Sequence, residues 1–275
     1  MKEFALRTLT SVVFVAVMVA GLLVPYAAGA LFLVIMAQSM NEFYRMALGG
    51  SFRYVTGLSI LACGTAYIVL YGIRAFGLSA SWFAVPVIVL LLMLAAIVLS
   101  CKVEDASRIA YVFVPQVIIA LPLMCTPYLL FPQGQMDGTL LLSVFIVIWL
   151  SDVGAYLVGS TLGQRPGSKR LAPHISPKKS WWGFFGGVIC AVLIAAILHF
   201  AGICKLGIWH TLALGAVTSI ASVFGDLLES LWKRHFGVKD SGKCIPGHGG
   251  MYDRFDSSFA ALPAAFAYLL IFGLI

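Results

Sequence analysis

The sequence predicts an all-helical, polytopic membrane protein with about nine transmembrane helices, whose short cytoplasmic loops form the active site. Of the 275 residues, 61% are hydrophobic and only 11% are charged, whereas an ordinary soluble domain has about 25% charged residues. The apolar residues fall in long runs, close to the ~20 residues that a helix needs to cross a bilayer. Lysine and arginine are concentrated in alternate loops between these runs, as in cytoplasmic loops of membrane proteins.

Nine apolar runs are candidate spans, with boundaries near 6–25, 27–47, 54–74, 82–101, 108–131, 136–162, 181–202, 206–236 and 256–275. Lys2 and Arg7 precede the first run and "AGA" at 28–30 resembles a cleavage site, a combination found in signal peptides. The first run continues directly into the second, so we expect both to be retained as helices. The six cysteines show no CxxC spacing, and we expect them to be small buried residues.

The distribution of basic residues predicts the orientation. With the N-terminus in the cytoplasm, both long polar loops are cytoplasmic, and only Arg74 and Lys205 of the 18 lysines and arginines lie on the outer side. The C-terminus is then on the outer side. This topology accounts for the net charge of +7 without nucleic acid, and the expected partners are anionic lipid headgroups or anionic substrates.

The polar residues divide the chain into two functional parts. The first five spans carry almost no polar residues, so residues 1–135 are interpreted as a transmembrane scaffold. Nearly all residues able to do chemistry lie between 151 and 256. Residues 136–275 are therefore predicted to be the catalytic half, with about four helices and two basic loops.

Among the acids that the topology places at or inside the membrane are Asp152 in the sixth predicted span, and Asp226 and Glu229 in the eighth. An ionised carboxylate costs several kcal/mol in hydrocarbon unless it meets a cation, a metal ion or water. One interpretation is ion pairing that assembles helices, for example between Asp226 and Lys233. The other is a functional stripe, because an acid, a hydroxyl and bases recur at helical spacing. Its members are Asp226, Glu229, Ser230, Lys233 and Arg234.

The segment "KDSGKCIPGHGGMYDRFD", residues 239–256, is the least membrane-like part of the chain. Its glycines permit positive φ and a close approach of backbone N–H groups to phosphate, and Lys239 and Lys243 add positive charge. Asp253 and Asp256 are three residues apart and can present two carboxylates to one cation, and Mg²⁺ completes such a shell with water and phosphate. The segment thus predicts a metal and polyphosphate site. The alternative is a solvated loop that returns to the membrane.

The other polar loop, "GQRPGSKRLAPHISPKKSWWG" at 163–183, contains five bases and no acid. By itself it is a weak signal, since cytoplasmic loops are generally basic. The predicted topology places it on the same side as the acidic residues. Its bases are therefore candidates for holding an anionic substrate against the metal site.

Three stretches together identify a family. The run "SLWKRHFGVKDSGKCIPGHGGMYDRFD", residues 230–256, resembles the signature of phosphatidate cytidylyltransferases, also called CDP-diacylglycerol synthases. "SDVGAYLVGSTLG" (151–163) and "ISPKKSWWGFFGG" (175–187) are similar to two further conserved blocks of that family. Trp232, Ser180 and Trp182 depart from the pattern, where an aliphatic residue, threonine and glutamate are usual. No role is carried over to Trp182.

The resemblance implies a reaction in which CTP and phosphatidic acid give CDP-diacylglycerol and pyrophosphate, in the biosynthesis of phospholipids. It implies Mg²⁺ as cofactor, with a second cation of unspecified identity, and CTP, phosphatidic acid and membrane lipids as partners. The family alone also suggests a homodimer. CTP is cytoplasmic and phosphatidic acid lies in the bilayer, so the expected location is the cytoplasmic face of the inner membrane.

The resemblance also implies roles for particular residues. The metal ligands would be Asp226, Asp253 and Asp256. The phosphate-binding groups would be Lys233, Arg234, Lys239, Lys243, Arg254 and the backbone of 242–250, including Gly247, Gly249 and Gly250. Asp240 would position a lysine or a metal-bound water, and His248 would be a general acid or a hydrogen-bond donor. The substrate contacts would be Ser176, Lys178, Lys179, Ser230 and Asp152.

Two other classes of protein share some of these features. Another CTP-dependent lipid or polyprenol transferase would also have intramembrane acids and a basic loop, but we would not expect the complete run at 230–256. A secondary transporter of an anionic solute would have buried carboxylates, usually near the bilayer midplane and in repeated halves. In this chain the polar residues crowd one membrane interface and the two halves are unlike.

Overall fold

A computed structural model describes residues 2–244 and 249–275, and it is almost entirely helical. The helices are α1 Lys2–Leu22, α2 Pro25–Leu48, α3 Arg53–Phe76, α4 Ala84–Ser100, α5 Ala106–Pro115, α6 Leu121–Met124, α7 Thr126–Leu130, α8 Gly138–Thr161, α9 Trp181–Phe200, α10 Ile208–His235, α11 Met251–Phe255 and α12 Ser258–Ile271. Two short strands, β1 Arg170–Ala172 and β2 Ser176–Ser180, precede α9. The predicted all-helical class is confirmed, and each predicted apolar run falls on a helix or a series of helices.

The number of spans differs from the nine expected. Within the described residues, six segments are long and apolar enough to cross a membrane: α3, Ala80–Ser100, Val103–Leu130, α8, α9 and α10. The 14 residues of α12 extend over about 21 Å, less than the ~30 Å of a hydrocarbon core. The C-terminal half of α2 contains polar residues, including Gln38 and Glu42, and the apolar part of α1 covers only Val12–Leu22.

The chain forms two compact units. The first contains residues 1–127, 134–136 and 238–254, and the second contains residues 128–133, 137–237 and 255–275. The glycine-rich segment after α10 therefore belongs mainly to the unit formed by the N-terminal helices. The functional division into a scaffold and a catalytic half stays a prediction.

In the first unit, a buried hydrogen-bond network ties α2 to α3 and α5. The Tyr44 hydroxyl donates to the Val112 carbonyl (2.8 Å) and lies 2.7 Å from Ser59 Oγ. Gln116 Nε2 donates to the same Ser59 Oγ (2.8 Å). Gln116 begins a π-helical turn directly after Pro115, where proline has no N–H to continue the regular ladder. The network fixes the C-terminal half of α2.

In the second unit, α8 and α9 pack closely through glycines, and α10 packs against α9 and α12. A Cβ added at Gly154 would lie 2.5 Å from Cys190 Cβ, and one at Gly186 would lie 2.5 Å from Val158 Cβ. Small residues at such crossings let helix backbones approach. The loop before α9, which the sequence did not predict to be ordered, is an antiparallel hairpin in which Arg170 pairs with Ser180. The hairpin and the helices together position the candidate site.

Candidate active site

The stripe predicted on α10 carries side chains that contact each other one turn apart. Lys233 Nζ lies 2.5 Å from Glu229 Oε2, and Ser230 Oγ donates to Asp226 Oδ1 (3.3 Å). Glu229 is buried and Asp226 is partly exposed. The α10 stripe, residues 226–234, is therefore charged along one side of an otherwise apolar helix.

Three acids of the second unit gather at this stripe. Asp226, Glu229 and Asp256 each offer one carboxylate oxygen, and these oxygens lie within 4.8 Å of one another. Around Mg²⁺, with oxygens at about 2.0–2.1 Å, opposite ligands are roughly 4.2 Å apart. Only one pair among three ligands can lie opposite each other, and adjacent ligands are roughly 2.9 Å apart, so the three side chains would have to move inward to share one small divalent cation. Glu229 was not among the predicted ligands, although an acid within an apolar span, one turn from Asp226, was the signal that could have identified it.

The basic hairpin reaches the same acids. Lys179 on β2 places its Nζ 2.5 Å from Asp226 Oδ2, with the lysine and aspartate side chains 26% and 33% exposed. Among the described residues, Asp226 thus forms an ion pair with Lys179, and Lys233, which had been weighed as its partner, forms one with Glu229. Ion pairing is therefore present on this helix, and the functional role of the stripe stays a prediction.

A cavity of about 610 Å³ opens beside this ion pair. Its polar lining includes Asp152, Lys178, Lys179 and Asp226, and its apolar lining includes Tyr156 and Phe184. Asp152 accepts a hydrogen bond from Ser257 Oγ (3.4 Å). The cavity can therefore receive a ligand that has both an anionic part and an apolar or planar part.

The end of the hairpin is held by a helix cap. Ser180 Oγ accepts from the Gly183 backbone N–H (3.2 Å) and caps α9. Threonine caps helices in the same way, so the departure at Ser180 preserves the local structure. Trp182, in the first turn of α9, is 54% exposed, and nothing in the structure explains its replacement of the usual glutamate. Ser176, half-buried, begins β2.

In the first unit, Asp253 organises the glycine-rich segment. Its Oδ2 accepts from the Ser241 N–H (2.9 Å), the Ser241 hydroxyl (2.9 Å) and the Gly250 N–H (2.7 Å). Gly249 has a φ of +83°, a conformation that glycine adopts readily. The Gly250 N–H that was predicted to face phosphate thus donates to Asp253. The proposed roles of Asp253, Gly249 and Gly250 toward ligands stay predictions.

Glu42 on α2 is a candidate that the sequence analysis missed. It is 3% exposed, and its Oε2 accepts from the Tyr252 N–H (2.9 Å) and from Ser241 Oγ (3.1 Å). The sequence contained a signal for it, because an acid in an apolar span needs a partner.

The remaining predicted residues are mostly at the surface. The exposed ones are Lys178, Arg234, Lys239, Asp240, Lys243 and Arg254. Exposed basic side chains are free to turn toward an anionic ligand. Gly247 and His248 lie outside the described residues.

Fold and site together define a class: a polytopic membrane protein whose carboxylates, inside and next to apolar helices, meet a basic hairpin beside a cavity. The chain belongs to the Cytidylyltransferase family, whose sequence pattern matches residues 5–272. This confirms the family that the three sequence stretches identified.

Several curated relatives carry the name phosphatidate cytidylyltransferase. The chain is 37% identical to the one from Staphylococcus epidermidis over 174 residues, covering 63% of this chain and 65% of the relative. It is 38% identical to the one from Staphylococcus haemolyticus over the same length and coverage. It is 36% identical to the one from Staphylococcus aureus over 184 residues, covering 66% and 69%. The chain thus matches just under two thirds of the length of the first two relatives.

Proposed function

We propose that this chain transfers the cytidylyl group of CTP to phosphatidic acid, giving CDP-diacylglycerol and pyrophosphate. The observation that carries the proposal is the gathering of Asp226, Glu229 and Asp256 within 4.8 Å, with Lys179 paired to Asp226 at the wall of the cavity. Acids that can hold a cation and bases that can hold phosphate thus lie side by side. Membership of the Cytidylyltransferase family and the names of its relatives support the same activity.

The reaction makes specific demands on the site. A phosphate oxygen of the lipid forms a bond to the α-phosphorus of CTP, while the bond from that phosphorus to the oxygen bridging to the β-phosphate breaks. The attacking oxygen is already anionic at neutral pH, so a strong general base is not required. The site must bring two anions together in line and neutralise the charge that develops on pyrophosphate. Lys178 and Lys179, both lining the cavity, are the bases we assign to this task.

Mg²⁺ is the cation that we propose for the acidic cluster. When bound, it would neutralise phosphate charge and orient the triphosphate. The residues that would hold it are Asp226, Glu229 and Asp256, whose hard carboxylate oxygens suit this ion. Asp253, the other ligand that the sequence predicts, stays in the proposal and is tested by its own Asp253→Asn variant.

We also propose where the reaction takes place. The basic residues predict a cytoplasmic N-terminus and a cytoplasmic site in the inner membrane, and the C-terminus lies on the outer side if α12 crosses the membrane as the ninth span. Soluble CTP and membrane-embedded phosphatidic acid can meet at that interface. A homodimer is proposed on the basis of the family only.

The decisive experiment uses purified protein in lipid nanodiscs with labelled CTP, phosphatidic acid and Mg²⁺. Wild type is expected to form CDP-diacylglycerol, and Asp226→Asn is expected to be slower by about 100-fold or more, because the cation site loses a charge. Asp105→Asn is the matched control. Asp105 also forms an ion pair, with Arg108 at 3.7 Å, but it belongs to the first unit, whereas the acidic cluster belongs to the second. It should retain wild-type turnover.

Two results would contradict the proposal. The first is the absence of any CDP-linked lipid with wild type, and the second is full turnover by Asp226→Asn. Replacing phosphatidic acid with a polyprenol or a polyprenyl phosphate tests the other transferase class. Uptake of an anionic solute into proteoliposomes without CTP would instead support a transporter.

A further inference from the structure

Glu42 is a buried acid, and the groups that donate hydrogen bonds to it within residues 2–244 and 249–275 are uncharged. Among the described residues, no lysine or arginine forms an ion pair with it, although it is 3% exposed. Burying an ionised carboxylate without compensation costs several kcal/mol. Its stability in this position therefore depends on the hydrogen-bond donors around it.

Those donors come largely from the glycine segment, which we define as residues 239–244 and 249–254. Glu42 Oε2 accepts from Ser241 Oγ (3.1 Å) near the start of the segment and from the Tyr252 N–H (2.9 Å) near its end. Glu42 Oε1 accepts from Gln38 Nε2 (3.0 Å), one turn earlier on α2. One carboxylate thus joins both ends of the glycine segment to one helix.

At two positions of the segment, only glycine leaves room for the Glu42 carboxylate. A Cβ added at Gly250 would lie 2.3 Å from Glu42 Oε2, and one at Gly242 would lie 2.9 Å from Glu42 Cδ. Real Cβ atoms do not approach so closely. The segment therefore lacks side chains at the two points where it passes over Glu42.

The helix that carries Glu42 is held firmly at this point. The next residue, Phe43, packs its ring edge-on against the buried Tyr252 ring, with centroids 6.0 Å apart. Tyr44 belongs to the hydrogen-bond network that links α2 to α3 and α5. Glu42 thus lies on a rigid support rather than on a mobile loop.

We infer that Glu42 is the positioning residue of the glycine segment: it fixes the segment through Ser241 and Tyr252, and through Ser241 it also fixes Asp253. Ser241 Oγ lies 3.1 Å from Glu42 Oε2 and 2.9 Å from Asp253 Oδ2, so the two acids share its one hydroxyl proton. What the segment binds rests on the proposed function, in which Lys239, Lys243 and Asp253 serve the polyphosphate and its cation. The anchoring itself does not depend on that function.

Two substitutions of Glu42 separate the effect of its hydrogen bonds from the effect of its negative charge. Glu42→Leu has similar size but accepts no hydrogen bond, so the Tyr252 N–H loses this acceptor and the Ser241 hydroxyl keeps only Asp253 Oδ2. Glu42→Gln keeps one oxygen to accept from both, and its NH₂ can donate to Gln38 once that amide has rotated. Gln38→Leu is the matched control, since it removes one bond to Glu42 on the same helix but none to the glycine segment.

The test measures trypsin cleavage beside the exposed Lys243 in nanodiscs, together with kcat and KM for CTP. Cleavage within a folded segment requires local opening. Glu42→Leu is expected to be cleaved about tenfold faster or more, because the segment loses both of its hydrogen bonds to Glu42, and to show a raised KM for CTP. Glu42→Gln and Gln38→Leu should stay within about twofold of wild type, because both keep the two bonds to the segment.

Cleavage of Glu42→Leu at the wild-type rate would overturn the inference. So would equally fast cleavage of Glu42→Gln, since the negative charge would then matter rather than the hydrogen bonds. If Glu42→Leu does not fold, Ser241→Ala removes the hydroxyl that contacts both Glu42 and Asp253 and should be cleaved about threefold faster; an unchanged rate would again overturn the inference. If cleavage follows the expected pattern but wild type forms no CDP-linked lipid, the proposed function fails while the anchoring role stands.

Discussion

Asp226 has two partners that hold it in different ways. Lys179 supplies charge at 2.5 Å from Oδ2, and Ser230 donates a hydrogen bond to Oδ1. Lys179 thereby links the basic hairpin to α10. It can also turn toward phosphate when a cation takes its place, because its long side chain has many rotamers. We therefore expect Lys179 to matter more than its neighbour on the same strand.

Replacing Lys179 with methionine tests this expectation. Lys179→Met is expected to reduce CDP-diacylglycerol formation by about tenfold or more, since a charged contact to phosphate and the partner of Asp226 are both lost. Lys178→Met is the matched control, because Lys178 lines the same cavity but is exposed, and its effect should be smaller. The measurement is the initial rate against CTP concentration. Equal losses in the two variants would contradict a special role for Lys179.

Individual elements were predicted from sequence to different degrees. The long helices follow from the apolar runs, and α8 begins one residue after Asp137, whose side chain accepts from the Thr139 N–H as a helix cap. The hairpin was not predictable, because β2 reads "SPKKS", which contains a proline and no apolar alternation. The π-helical turn at 116–120 could not be predicted either, since Pro115 indicates only that the regular α-helix is interrupted and not which turn follows.

The cap of α8 predicts a pH dependence of stability. Partial burial acts to raise the pKa of Asp137, but hydrogen bonds from Lys205 (2.8 Å) and Thr139 outweigh it, so the pKa lies below its usual value. A carboxyl with a lowered pKa in the folded state stabilises the fold above its unfolded pKa of about 3.9. This contribution is lost as the pH falls through the lower, folded pKa.

Thermal unfolding in nanodiscs between about pH 6 and pH 3 measures this contribution. Wild type should lose more stability over that range than Asp137→Asn, which keeps a capping side chain but cannot titrate. Added salt should reduce the difference, because Lys205 is largely exposed and its charge is screened. Identical pH profiles for the two proteins would rule out the Asp137 contribution.

At the scale of the whole chain, hydropathy predicted where helices lie but not which parts of the chain fold together. Residues 238–254 pack in the unit that contains residues 1–127. The contacts of Glu42 join residues 199 and 210 positions apart, a separation over which local periodicity carries no information. The acids could be recognised as needing partners, whereas the identity of those partners required the fold.

The predicted orientation can be tested with Cys244. All six cysteines lie within the described residues, and Cys244 is the exposed one. In a Cys101→Ser, Cys190→Ser background, a membrane-impermeant maleimide should label Cys244 in inverted membrane vesicles but not in intact spheroplasts. The physical reason is the excess of lysine and arginine in the loops predicted to be cytoplasmic. Labelling of intact spheroplasts would reverse the predicted orientation, and a Cys244→Ser chain gives the background signal.

The long-range bonds of Glu42 also have a consequence for biogenesis. Ribosomes add about 5–20 residues per second, so Ser241 is synthesised roughly 10–40 s after Glu42, given their separation of 199 positions. During that interval the nascent α2 carries an acid whose eventual donors from the glycine segment do not yet exist. In a chain that terminates prematurely, before residue 241, Glu42 would never gain its donors from the glycine segment. We expect membrane quality-control proteases to degrade such a chain.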